Sequence, residues 1–341
     1  MTTIRNYVLT AALASIGALL FQLLHIPMPW LLGPLFTTMI LRLTTPLPIM
    51  WHKNLKDLGL SFAGYSIGIA FTVQAFNEFG RFFPLMIGMN VFYILLFLAI
   101  SKFIVMRTKV DELAALTSTV PGGMSQILAY AAEKGSQHLT MITFYQVLRV
   151  LCILSFVPLI VSSGSGNNAV DEQTIHYSGA LIVFLILAYG AGYIAQRLRI
   201  PTGYLLGPVI LFIVLQLVGV SIPALPSSAL HIAQLLIGTF IGMLLRKEDL
   251  HLSKKVMFYG FIAAALYIGS AYILSLFIVD HYGIDFKTAF LSSIPGGLDQ
   301  MGLIAASVKA DVTIVTAFQL FRVLIVSIFI VPGLKYFTKG H

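Results

Sequence analysis

The chain carries one plan twice, in two copies about 174 residues apart. Ile26-Pro27 and Trp30-Leu31-Leu32-Gly33-Pro34 return as Ile200-Pro201 and Tyr204-Leu205-Leu206-Gly207-Pro208. Gly64 and Gly68 return as Gly238 and Gly242, and Asp111 returns as Asp285. Pro121-Gly122-Gly123-Met124-Ser125-Gln126 aligns with Pro295-Gly296-Gly297-Leu298-Asp299-Gln300. After a one-residue slip, Phe144-Tyr145-Gln146-Val147-Leu148-Arg149 aligns with Ala317-Phe318-Gln319-Leu320-Phe321-Arg322. So many matches in one register require a duplication, with copies at 1–163 and 178–341 joined by a linker at 164–177. Each copy holds a Pro-Gly-Gly break followed by an arginine in apolar sequence, so the functional centre is expected to be paired.

Of the 341 residues, 58% are hydrophobic and only 10% charged, where a soluble domain has about a quarter charged. The chain is therefore expected to be a multi-pass membrane protein. Apolar runs of about 20 residues recur along it, each long enough to cross the hydrocarbon core as a helix. The longest polar stretch, Ser162 to Gln173, is too short to fold alone, which leaves no room for a DNA-binding or catalytic appendage. The net charge of +8 fits cytoplasmic loops rich in Lys and Arg better than it fits nucleic acid. The lone Cys152 lies in an apolar run and supports neither a disulfide framework nor a Cys-based metal site. The eight histidines lie mostly at segment ends without the i, i+4 spacing of a helical metal site, so no metal and no cofactor are expected. No P-loop and no nucleophile-plus-base pattern is present, so no enzyme is expected either.

Hydropathy divides the first half into six segments at about 5–24, 29–43, 54–76, 81–105, 111–133 and 138–161. The second half repeats them at about 178–198, 203–219, 228–245, 255–279, 285–308 and 312–334. Segments five and eleven contain the Pro-Gly-Gly triplets, which remove a backbone donor and loosen the helix. If every segment crosses, Lys and Arg divide 10 inside to 9 outside, which violates the positive-inside rule. If the broken segments are re-entrant, 16 lie inside and only Arg81, Lys287 and Lys309 outside. Each half then has five crossings and one hairpin, and the second half is inserted upside down. The expected fold is an all-α polytopic membrane protein of two inverted-topology repeats. Each repeat has about five crossing helices plus one re-entrant or discontinuous helix, and both termini are cytoplasmic.

In a bilayer, unwound backbone is tolerated only where protein covers it or it lines a wet cavity. The two breaks are thus expected to share an interior, with helix N-termini facing anionic groups and freed carbonyls available to a cation. Gly122, Gly123, Gly296 and Gly297 would supply N–H groups there. Ser125, Gln126, Asp299 and Gln300 follow on the next helical turn. A plainer role for the breaks is a pair of Pro kinks that help helices pack. Arg149 and Arg322 lie mid-segment, where a charge costs about 2.5–3.5 kcal/mol on insertion scales and needs a partner or water. Gln146 and Gln319 lie one turn earlier on the same face. The two guanidiniums would hold a solute carboxylate or phosphate bidentately; a structural ion pair with Asp299, or a cap on the broken helix, is the other use for them. Asp299 replaces Ser125 of the first copy and is the candidate for proton or cation coupling. Gly64 with Gly68, and Gly238 with Gly242, have the spacing that lets membrane helices approach closely.

With the Pro-Gly-Gly triplets, the two Gln-x-x-Arg motifs and the duplication together, the chain resembles the membrane AbrB family, built from two AbrB duplication units, over nearly its whole length. Members of that family are labelled regulators of gene expression or ammonia monooxygenases. The resemblance implies a polytopic protein of the inner or plasma membrane, unrelated to the small DNA-binding regulators that share the name. A monooxygenase needs iron or copper ligands, and no histidines or acids cluster suitably. A regulator without a DNA module can act only indirectly. The residues favour a secondary transporter of a small anionic organic solute, coupled to protons or sodium and alternating access between inverted repeats. The alternatives are a membrane ligand sensor that regulates gene expression indirectly, and a channel. The expected partners are the solute and the lipid bilayer, with a homodimer as the default assembly and no nucleic acid.

Overall fold

The computed structural model describes residues 2–71, 73–122, 124–134, 136–162, 179–198, 200, 202–330 and 333. Every regular element among them is helical. In the first half these are α1 (Thr2–Leu23), α2 (Pro29–Thr44), α3 (Lys53–Ala70), α4 (Val73–Thr108), α5 (Glu112–Thr119), α6 (Met124–Glu133) and α7 (Leu139–Ser162). The second half has α8 (Gly179–Arg197), α9 (Gly203–Leu217), α10 (Ser227–Gly242), α11 (Lys254–Tyr282), α12 (Phe286–Ser293), α13 (Leu298–Ser307) and α14 (Val312–Ile325). A short 3-10 turn, Lys247–Leu250, precedes α11, and a π-helical turn, Val326–Ile330, extends α14. Among the described residues, six helical stretches are long and apolar enough to cross a membrane, including Gly80–Thr108, Leu139–Ser162 and Lys254–Tyr282. Their outward faces carry bare apolar side chains such as Ile186 and Ile273, 67% and 69% exposed. This is a multi-pass membrane protein, because that much exposed aliphatic surface needs lipid against it.

Segments five and eleven are each split in two by the Pro-Gly-Gly triplet, giving α5 with α6 and α12 with α13. Each first half-helix starts at the repeated aspartate. Asp111 Oδ2 accepts from the Ala114 N–H at 3.0 Å, and Asp285 Oδ2 accepts from Lys287 and Thr288 at 3.0 and 3.4 Å, so both act as N-caps. One boundary differs from expectation. The third segment ends at Ala70 and not near residue 76, and α4 begins at Val73 and not near 81. Phe71 is extended, with φ −72° and ψ 124°, although no Pro or Gly marks the turn, and the polar Asn77, Glu78 and Arg81 lie within the first turns of α4 and not in a loop.

The chain forms two compact units, and each takes elements from both sequence copies. The first comprises Met1–Asn77, Ser155–Leu244 and Gly302–Thr313. Here small residues let backbones touch. A Cβ on Gly64 would collide with the Leu205 carbonyl oxygen, and one on Gly238 would collide with that of Leu31. Gly68 meets Val209 and Phe212, and Gly242 meets Leu35 and Thr38. Thus α3 of the first copy packs on α9 of the second, and α10 packs on α2 in the corresponding way. Gly59 faces Ala233, its own counterpart, with Ile237 and Leu236 beside it, and Lys56 lies 4.9 Å from the Phe240 ring. As α3 runs forward its partners on α10 run backward, so these equivalent helices are antiparallel.

The second unit comprises Glu78–Leu154, Leu245–Met301 and Ile314–His341. It contains both breaks and both Gln-x-x-Arg motifs. The Arg81 Nη2 donates to the Tyr282 carbonyl at 3.2 Å, the rings of Tyr93 and Tyr267 are 6.3 Å apart, and Phe103 packs on Tyr259 at 5.5 Å. The helices α4 and α11, which are also equivalent by sequence, therefore lie antiparallel as well. Tyr93 and Tyr267 are each other's counterparts and meet near the middle of that pair.

Candidate functional site

At each break the preceding half-helix ends with carbonyls that have no helical partner, and in apolar surroundings these must be satisfied by something else. The Gln-x-x-Arg motifs do this. Gln146 Nε2 donates to the carbonyls of Thr117 at 2.9 Å and Val120 at 3.0 Å, and Arg149 Nη1 donates to Val120 at 2.8 Å. Arg149 Nη2 donates to Gln146 Oε1 at 2.9 Å, which fixes the amide so that its NH₂ faces the carbonyls. The second copy repeats the pattern. Gln319 Nε2 donates to Leu291 at 2.7 Å and Ile294 at 3.1 Å, Arg322 Nη1 donates to Ser293 at 3.3 Å, and Arg322 Nη2 donates to Gln319 Oε1. All four side chains are buried, Arg149 at 7% and Arg322 at 5% exposure.

Of the uses open to the arginines, the structure realises the cap. A guanidinium at a helix C-terminus also meets the negative end of the helix dipole, worth roughly half a charge. That offsets only part of each cation. Neither arginine has a carboxylate partner among the described residues. Arg149 Nε is buried with no acceptor.

These motifs extend along nearly the whole chain. A family model described as "Transition state regulatory protein AbrB" matches residues 30–338. The chain belongs to the AbrB family. It is similar to "Uncharacterized protein YhjN" of Bacillus subtilis (strain 168), at 22% identity over 97% of this chain and 92% of that one. It is also similar to "Putative regulator AbrB" of Escherichia coli (strain K12), at 28% identity over 91% and 89% of the two chains. No solved structure matches it.

In this AbrB-family chain, the second break places Gly296, Gly297, Asp299 and Gln300 together. Asp299 Oδ1 and Gln300 Oε1 fold back over Gly297, so a Cβ there would run into both, and Gln300 Oε1 is buried without a partner. The N–H groups of Gly297 through Gln300 precede the first helical acceptor of α13 and meet no acceptor among the described residues. Asp299 makes no ion pair or hydrogen bond with the described residues. At the first break, Gly122 adopts φ +117°, a left-handed region that favours glycine, and a Cβ would find only Val326 nearby at 3.9 Å. Gly123 lies outside the described residues, as do the side chains of Ser125 and Gln126. The freed carbonyls expected to face a cation are instead taken by the Gln-x-x-Arg side chains. What the second break leaves open is its donor end.

Two polar pairs and one unmatched amide at this site were not anticipated from sequence. Tyr267 donates its hydroxyl to the Thr119 carbonyl at 2.6 Å and thereby completes the first break, whereas the hydroxyl of its counterpart Tyr93 is buried with no partner. Ser118 and Ser292 are equivalent by sequence, and both have buried, unpartnered hydroxyls. Asn90 stands where the second copy has Ala264. The usable signal was the same offset that revealed the duplication, since tyrosine recurs at 93 and 267 and serine at 118 and 292.

Proposed function

We propose that this protein is a secondary transporter of a small anionic organic solute, coupled to protons or sodium, that alternates access between inverted repeats. The observation that carries this reading is two buried arginines without carboxylate partners among the described residues, each holding one of two broken helices. Broken helices in secondary transporters commonly bind solute and coupling ion near the midplane. The antiparallel pairings of α3 with α10 and of α4 with α11 favour inversion, because crossing helices that are equivalent and antiparallel enter the membrane from opposite sides. Single cysteines at Ser165 and Glu248 in a Cys152→Ser background test it. A membrane-impermeant thiol reagent on intact cells should label position 165 and spare position 248.

The structure's division of labour at the breaks leads to a coupling scheme. The C-terminal ends of α5 and α12 are occupied by protein, and the N-terminal end of α13 offers free N–H donors beside Asp299. While Asp299 is ionised, its charge competes with any anion for that end of the helix. Protonating it, or placing a sodium ion beside it, removes the competition and lets the anion bind. One cation would thus enter with one anionic group.

The test is flux in proteoliposomes under an imposed pH or sodium gradient, with radiolabelled acetate, succinate and citrate as probes. At least one should accumulate. Asp299→Asn should lose gradient-driven accumulation while keeping exchange of labelled for unlabelled solute, because the variant is neutral at all times. Arg322→Lys and Arg149→Lys should reduce flux, since an ammonium cannot reproduce the forked contacts. The name of the Escherichia coli relative favours a second reading, a membrane sensor acting indirectly on gene expression. That reading gives saturable binding with no exchange in the same vesicles, and a channel gives conductance with no gradient coupling.

A further inference from the structure

We infer that the second copy of the duplication contains a selective small-anion subsite, formed by Arg322 with the hydroxyls of Tyr93 and Ser292 and the amide of Asn90. Met89, Asn90, Tyr93, Ser292, Phe318 and Arg322 line a cavity of about 10 Å³, room for about one oxygen-sized atom. Tyr93 is 2% exposed and Ser292 1% exposed, and neither hydroxyl meets hydrogen-bond geometry with a partner among the described residues, although Ser270 lies beside that of Tyr93. Two unpartnered buried donors at the edge of one cavity are costly unless something occupies it, because each carries a desolvation penalty that a hydrogen bond would remove.

The charge of the wall sets the occupant's class. Arg322 uses Nη1 on Ser293 and Nη2 on Gln319, and no acceptor among the described residues takes its Nε–H. Asn90 Nδ2 donates to the Met86 carbonyl at 2.8 Å, which holds the amide in place. No acid lines the cavity. A cation is thereby disfavoured, and the occupant that satisfies the hydroxyls and the residual positive charge together is a single anionic atom. It is either one oxygen of the solute's carboxylate or a free halide.

The first copy supplies an internal control. Its equivalent positions are Ala264, Tyr267, Ser118 and Arg149. Ala264 offers no amide, and the Tyr267 hydroxyl already donates to Thr119. Only one of the two pseudo-equivalent places therefore keeps a tyrosine donor free for a ligand. The subsite deepens the transport reading, but it can be tested without any flux.

The experiment is thermal unfolding of the full chain in detergent at constant ionic strength, replacing isethionate stepwise by chloride or by acetate. Isethionate is the reference because it carries no carboxylate and its sulfonate oxygens are weak hydrogen-bond acceptors. The expected result is a saturable rise in unfolding temperature with chloride, acetate or both. Tyr93→Phe and Ser292→Ala should each raise the half-saturating concentration about tenfold, the loss of one hydrogen bond to a charged group, while Ser118→Ala leaves it unchanged. Saturation by chloride alone identifies a halide site, and saturation by acetate identifies a carboxylate subsite. An unfolding temperature indifferent to both anions overturns the inference, as do Tyr93→Phe and Ser292→Ala titrating like the unsubstituted chain. If Tyr93→Phe does not fold, Ser292→Ala carries the test. Saturable binding without flux would sink transport and leave the subsite standing, whereas flux without saturable binding would do the reverse.

Discussion

The two compact units solve the problem of packing helices in lipid by opposite means. In the first, glycines bring backbones together, with Gly64 against Leu205 and Gly238 against Leu31, and the contacts are dispersion forces between fixed surfaces. In the second, the helices are interrupted, and buried glutamine, arginine and tyrosine side chains hold the loose ends. Dispersion contacts between backbones have one good arrangement. Hydrogen bonds to carbonyls can be exchanged for bonds to a ligand or to water at similar energy. The difference teaches that the glycine-packed unit is suited to staying as it is and the interrupted one to changing partners. For that reason the proposed solute site is placed in the latter.

The sharpest way to break the comparison is to overfill the glycine contacts. Gly64→Leu and Gly238→Leu would each drive a side chain into a carbonyl oxygen of the facing helix. Backbone cannot rotate away as a side chain can, so the cost should exceed the roughly 1–3 kcal/mol of an ordinary overpacked site. We expect loss of monodisperse protein in detergent for both. A variant that elutes and melts like the unsubstituted chain would show that these helices are not locked as described.

Next in size is the effect of removing a glutamine. Gln146→Leu strips donors from Thr117 and Val120, and Gln319→Leu strips them from Leu291 and Ile294. Each also deprives an arginine Nη2 of its acceptor. Val120 keeps its bond from Arg149 and Ile294 keeps one from the Gly296 N–H, so each variant leaves one carbonyl, that of Thr117 or Leu291, and one arginine N–H unpaired. At about 1–3 kcal/mol for each group, each variant should lose about 2–5 kcal/mol and unfold earlier in detergent. Because the contacts are matched, the losses should be similar. If only one variant is destabilised, the two breaks are not held alike, and the functional asymmetry begins with the glutamines, before the tyrosines are considered.

The breaks and the arginines were legible because both violate what a membrane helix ordinarily is. Pro121-Gly122-Gly123 and Pro295-Gly296-Gly297 interrupt apolar runs, and Arg149 and Arg322 put charge where charge is costly. The partners of those arginines were not legible, because they are backbone carbonyls, and any residue type supplies one. Tyr93 and Tyr267 escaped notice for a different reason. A tyrosine in an apolar run looks like core, and only its hydroxyl, 2.6 Å from Thr119 in one copy and unpartnered in the other, separates structure from site. The end of α3 at Ala70 left no mark either, since Phe71 turns the chain without proline or glycine.

The finest test uses that tyrosine pair, where the copies are equivalent by sequence and different in bonding. Tyr267→Phe removes the donor to Thr119 and leaves a buried carbonyl unsatisfied, at a cost of about 1–3 kcal/mol. Tyr93→Phe removes a hydroxyl that meets no hydrogen-bond partner among the described residues, so in isethionate it should be neutral or stabilising by up to about 1 kcal/mol. Adding the anion that fits beside Arg322 should reverse the second result, because the unsubstituted chain then gains a hydrogen bond that the phenylalanine variant cannot make. Tyr267→Phe should show no such reversal. Paired unfolding curves with and without chloride or acetate read both signs in one experiment. Equal shifts for the two tyrosines under every condition would mean that the copies are alike in energy as well as in sequence, and the unpartnered hydroxyl of Tyr93 would then mark no ligand.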